Sequence, residues 1–302
     1  MIQKLDDLLK MAKDQKIMKL AIAAAHDEDV MQAARDAHEA GIVEPIFIGD
    51  LGKMELIATE LDMDLSKFKV IDIPDFEGAA HESARLVSVG EADFLMKGIL
   101  DTSILLKAVL KKEYGLRTDN LLSHILIYEA PTYHKLLTVT DGGMNIAPSL
   151  DEKASILMNA VDALRAMGRE EIKVACIAAK EKVSDKMQAT IDGAELKRLG
   201  EEGRFGPGVI VEGPIAFDLA VSKESAEIKN YKSDVAGDAD ILLVPAIEVG
   251  NGIGKALTYL AKAKSAGIVM GAKVPVILVS RADDAETKLY SIALGSLISS
   301  KR

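Results

Sequence analysis

Tryptophan is absent from the 302-residue sequence, and cysteine occurs once. Aromatic residues make up only 4% of the chain, whereas hydrophobic residues make up 49%. The core must therefore consist of Ala, Ile, Leu, Val and Met side chains. The single cysteine, Cys176, lies in the apolar run 174–179, which predicts a small buried strand residue rather than a nucleophile. No disulfide can form within one chain.

Positive charge is also scarce, since 37 Lys and Arg stand against 47 Asp and Glu, giving a net charge of −10. Binding to a phosphate backbone relies on a surplus of Lys and Arg, so a nucleic-acid partner is not expected. No apolar run approaches the roughly 20 residues that a bilayer span needs. The N-terminus has the periodicity of an amphipathic helix rather than of a signal peptide. We therefore expect a cytoplasmic protein with no membrane partner.

Short apolar runs alternate with stretches of 3.6-residue periodicity, which is the pattern of βα units in a mainly parallel sheet. A chain of this length usually exceeds a single core, so we expect two α/β domains. We predict helices at 151–167 and 184–199. Strands of a first sheet are predicted at 19–24, 45–48, 69–73, 94–96, 125–128 and 136–139, and further strands at 173–177, 209–211, 241–244 and 274–279.

The polar run 97–103 follows a predicted strand and opens a helix. Open α/β sheets bind ligands at the carboxyl ends of their strands, so Lys97, Gly98, Thr102 and Ser103 are candidate substrate-binding residues. The alternative is that Asp101, Thr102 or Ser103 only caps the helix.

The run 280–286 follows the last predicted strand. The planar guanidinium of Arg281 matches phosphate oxygens, and Ser280 adds a hydroxyl beside it. Asp283 and Glu286 also fit a capping box for a helix over 284–297. This run is therefore a candidate phosphate site with a structural alternative for its carboxylates.

A glycine-rich run occupies 250–255. It is not a P-loop, because Val249 stands where Gly is needed and Ala256 where Ser or Thr would bind magnesium. We expect Gly250, Asn251 and Gly252 to form a loop before a helix over 255–266, with backbone N–H groups directed at an anion. An ordinary turn is the alternative.

Nicotinamide and metal chemistry have no recognisable motif here. The first strand runs into His26 and Asp27 without the glycines of a dinucleotide-binding turn, and Asp27 is expected to cap the next helix. The histidines do not show the spacing of metal ligands. They are His26, His38, His81, His124 and His134.

Three extended stretches resemble the phosphate acetyltransferase and phosphate butyryltransferase family, with the closer similarity to the butyryltransferases. They are 97–110, 137–151 (LTVTDGGMNIAPSLD) and 212–294. The last contains EGPIAFDLAVS, DVAGDADILLVP, EVGNGIGKAL and PVILVSRADDAETKLYSIAL.

The resemblance implies two α/β domains with an interdomain cleft, in an architecture like that of isocitrate and isopropylmalate dehydrogenases. One domain would comprise 1–142 and 271–302, and the other 143–270. The implied reaction is butyryl-CoA + phosphate = butyryl phosphate + CoA, in fatty acid metabolism. Coenzyme A would be a co-substrate, without a further cofactor or metal, and the enzyme a homo-oligomer. The alternatives are a phosphate acetyltransferase, or a non-catalytic acyl-CoA-sensing module of the same fold.

The resemblance also implies roles for individual residues. Ser280 and Arg281 match the pair that contacts the acyl phosphate, which makes them the predicted catalytic residues. The acetyltransferases have an Asp seven positions after this Ser, where the present sequence has Thr287. The candidate general bases are therefore the neighbouring carboxylates Asp283, Asp284 and Glu286. A decarboxylating dehydrogenase of similar architecture would need metal-binding aspartates and a nucleotide site, neither of which is evident.

Overall fold

The computed structural model describes residues 2–301. Contacts divide the chain into two compact units. Unit 1 consists of Leu121–Ser265 with the described N-terminal residues up to Lys4, and unit 2 of Leu5–Asn120 and the described residues from Ala266 onward. The α-helices are α1 Leu5–Lys13, α2 Glu28–Glu39, α3 Leu51–Glu60, α4 Phe76–Ser88, α5 Thr102–Val109, α6 Leu150–Ala166, α7 Gln188–Glu201, α8 Phe217–Val221, α9 Lys223–Ile228, α10 Ile247–Tyr259 and α11 Ala285–Ser300. The strands are β1 Met18–Ala23, β2 Val43–Gly49, β3 Lys69–Asp72, β4 Phe94–Lys97, β5 Ser123–Glu129, β6 Leu137–Thr140, β7 Ile172–Ile177, β8 Val209–Ile215, β9 Ile241–Leu243, β10 Lys264–Met270 and β11 Val276–Ile277.

Unit 2 is built on the strand order β3-β2-β1-β4-β11-β10. All neighbouring strands are parallel except β10 and β11. Met96 of β4 lies opposite Ile22 of β1 and Ile277 of β11, so these three strands are in direct register. Every residue of β4 is buried, as expected for a parallel strand covered on both faces. The carboxyl ends of β1, β4 and β11 consequently lie side by side.

Unit 1 has the strand order β5-β6-β9-β7-β8, in which only β5 is antiparallel to its neighbour. Its core is aliphatic, with Val139, Ala175 and Leu242 buried on adjacent strands. The carboxyl ends of β6, β9 and β7 share one edge, because these strands are parallel neighbours. The helix α6 begins at this edge with a capping box between Ser149 and Glu152.

The expected mainly parallel α/β class is confirmed, and each of the ten predicted strands overlaps an observed one. Two expectations about the strands are wrong. The strand β10 occupies residues that we had partly assigned to a helix over 255–266. The strands β5 and β6, which we had placed in the first sheet, belong to the sheet of unit 1, where Thr138 lies opposite Ile241 of β9. The resemblance predicts domain boundaries at 142 and 271, whereas the units divide after 120 and 265.

The solitary cysteine behaves as expected from its apolar surroundings. Cys176 lies on β7 and is 4% exposed. Burial raises the pKa of its thiol to about 12, which keeps it protonated near neutral pH. Within residues 2–301, no helix is both long and apolar enough to cross a bilayer.

Candidate functional site

The two polar runs at 97–103 and 280–286 meet at one edge of unit 2. They follow β4 and β11, which are parallel neighbours. One contact joins the runs directly, because Nη2 of Arg281 donates to Oδ1 of Asp101 at 2.5 Å. The structure therefore brings together two of the three predicted site segments, which are 180 positions apart in sequence.

A close backbone approach fixes the end of β4 against the end of β1. The Gly98 N–H donates to the Ala23 carbonyl at 2.8 Å, and the Ile99 N–H donates to the Ala24 carbonyl at 3.0 Å. A Cβ atom on Gly98 would lie 2.1 Å from the Ala24 oxygen, so no larger residue fits. Gly98 thus allows the run 97–103 to lie close to β1, because it has no side chain and its N–H binds the end of that strand.

The side chain of Lys97 is buried at this edge. The residue is 5% exposed, and its Nζ donates to the carbonyls of Gly98 at 3.1 Å and Leu100 at 3.3 Å. No carboxylate in the described part of the chain forms an ion pair with it. Burial lowers the pKa of Lys97, and the nearby cations Arg281 and Lys288 lower it further. A buried ammonium group whose partners are carbonyls is suited to receive an anion.

Ser280 and Arg281 stand on a tight turn between β11 and α11. The Ser280 N–H donates to Oδ2 of Asp283 at 2.8 Å, and the Ala282 N–H donates to Oγ of Ser280 at 3.3 Å. The cap of α11 is Asp284, whose Oδ1 accepts the Thr287 N–H at 2.9 Å. The predicted capping box of Asp283 and Glu286 is therefore wrong, because Asp283 closes the turn that precedes the cap.

The ion pair of Arg281 with Asp101 lies at the surface, with side chains 57% and 71% exposed. Asp101 occupies the N-cap position of α5 but makes no side-chain hydrogen bond to the helix. The alternative that Asp101 serves as a helix cap is therefore not observed. Thr102 and Ser103 form the first turn of α5 beside this pair.

All three candidate general bases accept hydrogen bonds at the start of α11. Asp283 accepts from Ser280, Asp284 accepts from Thr287, and Oε1 of Glu286 accepts from the Tyr290 hydroxyl at 3.3 Å. The assignment of a general base among these three stays a prediction.

In unit 1 a buried carboxylate organises the turn at 141–145. Asp141 is 2% exposed, and its Oδ1 accepts the Gly143 and Met144 N–H groups at 2.8 and 2.9 Å. Its Oδ2 accepts the His124 N–H at 3.1 Å and the Asn145 amide at 2.6 Å. Four donors thus bind the two carboxylate oxygens and give the turn a fixed shape.

This turn packs on α10 through two facing glycines. A Cβ atom on Gly142 would lie 2.7 Å from the carbonyl carbon of Gly250, and one on Gly250 would lie 2.7 Å from Cα of Gly142. The Asn251 amide donates weakly to the Gly142 carbonyl at 3.4 Å. The sequence stretches TDGGMN and EVGNGIGK are therefore in direct contact within unit 1.

The expected anion-binding loop at 250–254 is wrong, because these residues lie inside α10. The helix begins at Ile247, whose N–H donates to the Ile146 carbonyl at 3.0 Å, and Gly250 already donates to Ala246 at 3.3 Å. The backbone N–H groups of Asn251 and Gly252 belong to the helix and are not directed at a ligand. A contact of Gly250, Asn251 or Gly252 with substrate stays a prediction.

The carboxyl edge of the unit 1 sheet carries a groove that we did not predict. Its volume is about 900 Å³, and its lining includes Pro148, Leu150, Val183, Ile191 and Pro245. Lys153 and Asp192 also line it and form an ion pair of 2.5 Å, with both side chains less than a tenth exposed. The lining residues come after the strands β6, β7 and β9, which are parallel neighbours. The loops that follow these strands were the signal in the sequence that could have predicted the groove.

The first βα turn of unit 2 has the expected structural role. Asp27 caps α2, with its Oδ1 accepting the Val30 N–H at 3.0 Å. His26 is buried, accepts the Asp50 N–H at 3.3 Å and stacks on Phe76. Over residues 2–301, no three His, Cys, Asp or Glu side chains are grouped as metal ligands.

Known proteins similar to this chain include phosphate butyryltransferases and phosphate acetyltransferases. Two relatives cover nearly its full length. A phosphate butyryltransferase of Clostridium acetobutylicum is 41% identical over 302 residues, covering 100% of both chains. A phosphate acetyltransferase of Thermotoga maritima is 42% identical over 293 residues, covering 97% of this chain and 99% of the relative.

Solved structures extend the similarity to the fold. A branched-chain phosphotransacylase from Enterococcus faecalis superposes with a TM-score of 0.83 at 32% identity, covering 94% of this chain and 99% of that one. A 4-hydroxythreonine-4-phosphate dehydrogenase from Klebsiella pneumoniae has a TM-score of 0.55 at 12% identity over 94% of this chain and 99% of its own, and so shares the fold alone. The family model for phosphate acetyl/butaryl transferase matches residues 4–85 and 76–296. The chain therefore belongs to the phosphate acetyl/butaryl transferase family.

Proposed function

We propose that this acyltransferase moves a butyryl group between coenzyme A and inorganic phosphate. The observation that carries the proposal is the cationic edge of unit 2, where Lys97 and Arg281 lie at the ends of neighbouring strands. Over the described part of the chain Lys97 is buried without an ion-paired carboxylate, which is unusual in a chain with a net charge of −10. An anionic co-substrate would supply the missing charge.

The chemistry requires little of the protein beyond positioning and charge. In one direction a phosphate oxygen attacks the thioester carbonyl, a tetrahedral oxyanion forms, and the C–S bond breaks. The coenzyme A thiolate leaves and takes up a proton. Arg281 and Lys97 neutralise phosphate and hold it for attack, and Ser280 donates its hydroxyl to phosphate or to the oxyanion.

In the reverse direction the thiol attacks the acyl-phosphate carbonyl, so its proton must be accepted. A carboxylate at the start of α11 or solvent takes it. Asp283, Asp284 and Glu286 are the candidates, and each already accepts a hydrogen bond. A shift of the acidic limb of the kcat/KM pH profile in one of the Asp→Asn or Glu→Gln variants would identify the base.

The proposal is tested by thiol release from acyl-CoA thioesters of two to six acyl carbons. We expect release that requires inorganic phosphate and that persists in the presence of a chelator. Assays without phosphate serve as the control for simple thioester hydrolysis. Absence of release with every thioester would refute the enzymatic function and favour an acyl-CoA-sensing module. Loss of activity with chelator, restored by a divalent metal, would refute the metal-independent part.

The acyl chain is the second part of the proposal, since a butyryltransferase and an acetyltransferase are about equally similar to the chain. Butyryl-CoA carries two more methylenes than acetyl-CoA. Each methylene that is buried contributes about 1 kcal/mol or more to discrimination, so we expect a butyryl preference of at least about 30-fold in kcat/KM. A higher kcat/KM for acetyl-CoA would assign the chain to acetyl transfer instead.

A further inference from the structure

Lys288 is a buried lysine that takes no part in the proposed reaction steps. It lies in the first turn of α11 and is 3% exposed. Its Nζ donates to the carbonyl oxygen of Asp283. The nearest carboxylate oxygen that pairs with it is Oδ2 of Asp29 on α2, at 3.7 Å.

This position is unfavourable for a positive charge. The N-terminal turn of a helix carries the positive end of the helix dipole, which repels a cation. Burial adds a desolvation cost. The side chain of Asp29 is 47% exposed, so its attraction at 3.7 Å is screened by water and offsets little. Stability alone therefore does not account for a lysine here.

The contacts of Lys288 lead directly to the proposed catalytic turn. Asp283 receives the ammonium group on its carbonyl oxygen and binds the Ser280 N–H with its carboxylate. Ser280 in turn accepts the Ala282 N–H. Arg281 lies between these anchored residues. The ammonium group of Lys288 is thus linked through Asp283 to Ser280, the residue that precedes Arg281.

Lys288 also acts on the same edge through its charge. After burial, Arg281 and Lys288 are the main causes that lower the pKa of Lys97. Lys97 is thus close enough to Arg281 and Lys288 to be repelled by both, while Asp27 and Asp101 attract it more weakly, and a bound dianion would relieve the repulsion.

We propose that Lys288 is a positioning residue that fixes the 280–284 turn, and with it the direction of Arg281, at a cost in stability. The inference rests on the proposed function, because its consequence is measured in phosphate turnover. It makes a specific claim: removing this charge harms activity without harming the fold.

The test compares Lys288→Met, Lys288→Arg and Asp29→Asn with the wild type. Lys288→Met keeps the length of the side chain and should melt at or above the wild-type temperature. Its kcat/KM for phosphate should fall roughly 10- to 100-fold, the scale for a misplaced catalytic group. Lys288→Arg, which can still donate to the Asp283 carbonyl, should recover part of the loss. Asp29→Asn removes only the exposed partner and should leave the kinetics unchanged.

The thioester KM separates positioning from general damage, because only the phosphate side of the reaction should change. A double variant with Arg281→Ala gives the decisive result. If Lys288 acts through Arg281, adding Lys288→Met to Arg281→Ala should cost less than threefold more. Fully additive losses, wild-type kinetics in Lys288→Met, or its failure to fold would each overturn the proposal. An inactive wild type would instead refute the proposed function, and the melting comparison would still test the stability cost.

Discussion

Each unit buries a lysine, but the two lysines differ in the group that binds the ammonium. In unit 1, Nζ of Lys153 lies 2.5 Å from Oδ2 of Asp192, and Gln188 donates to the other carboxylate oxygen at 2.7 Å. In unit 2, Lys97 is equally buried but bonds two backbone carbonyls. The first arrangement is complete in the protein alone, and the second has a third N–H donor for an incoming group. Burial of a lysine therefore indicates a ligand site only when its charge lacks an internal partner.

A second cluster in unit 1, around Asp238, also pairs basic side chains with a carboxylate of the same unit. Burial raises the pKa of Asp238, but hydrogen bonds from Lys173, His134 and Lys135 outweigh it and hold that pKa below its usual range. The ammonium groups of Lys135 and Lys173 thus neutralise a carboxylate of the same unit. At the edge of unit 2, Asp27 and Asp101 attract Lys97, but no carboxylate within residues 2–301 forms an ion pair with it, which is the reason for locating phosphate there.

The largest expected effect comes from breaking the complete pair. Lys153→Met leaves Asp192 buried without its cation, which should lower the free energy of unfolding by about 3 to 5 kcal/mol. Urea denaturation measures the loss. The matched control is Lys153→Met with Asp192→Leu, which removes both charges and should recover most of the stability. If the single variant were as stable as the wild type, the pair would not be the buried, matched one described.

The next effect concerns catalysis. Arg281→Ala should lower kcat/KM for phosphate by roughly 100-fold, because a preorganised charged donor is lost where negative charge develops. Arg281→Lys restores the charge without the planar fork and should recover only part of the rate. Folding should survive, since the side chain is more than half exposed. A well-folded Arg281→Ala enzyme with normal kinetics would reduce Arg281 to a surface residue.

Lys97→Met is the direct counterpart of Lys153→Met. We expect it to lower kcat/KM for phosphate by about 10-fold or more, while stability stays equal or rises. The sign follows from the lowered pKa of Lys97, since the unfolded chain binds this proton more tightly than the native one. The penalty is fully present below the native-state pKa of Lys97 and is lost as pH rises toward the ordinary lysine value. Unfolding measured at pH 7 and pH 10 should therefore show the stability gain of Lys97→Met shrinking with pH.

The smallest expected effect comes from Asp101→Asn, which removes the partner of Arg281 and leaves the backbone unchanged. Both side chains are exposed, so the pair contributes less than about 1 kcal/mol to stability. Thermal melting should be unchanged. The phosphate KM should change by less than about fivefold, because Arg281 remains in place. A loss as large as that of Arg281→Ala would make Asp101 part of the reacting site.

The sequence predicted the strands well because buried parallel strands are short apolar runs between polar loops. It also placed each of the runs 97–103 and 280–286 after a strand, and the structure brings the ends of those strands together as β4 and β11. It failed at 250–254, where glycines indicated a loop. Those glycines allow close packing instead, Gly250 against Gly142 and Gly254 against Tyr128. Periodicity alone does not distinguish a flexible glycine from one that another element touches.

Lys288 could not be found from its neighbours in sequence. Its sequence neighbours are those of a solvated position in the first turn of a helix, whereas the structure buries it on α11, a helix that packs against α2. The strand β10 was missed for a related reason, because Gly267 and the small residues around it weaken the pattern of a strand. Both features depend on contacts between segments distant in sequence.

Cys176 is the single cysteine of the sequence, and its buried thiol can report the opening of unit 1. Burial raises the pKa of Cys176 to about 12, which keeps the thiol protonated at pH 8, and the side chain is 4% exposed. A thiol reagent that detects released coenzyme A should therefore leave the native enzyme unlabelled. The slow labelling of Cys176 instead measures how often unit 1 opens. Labelling should accelerate in Lys153→Met and stay at the wild-type rate in Arg281→Ala and Lys288→Met.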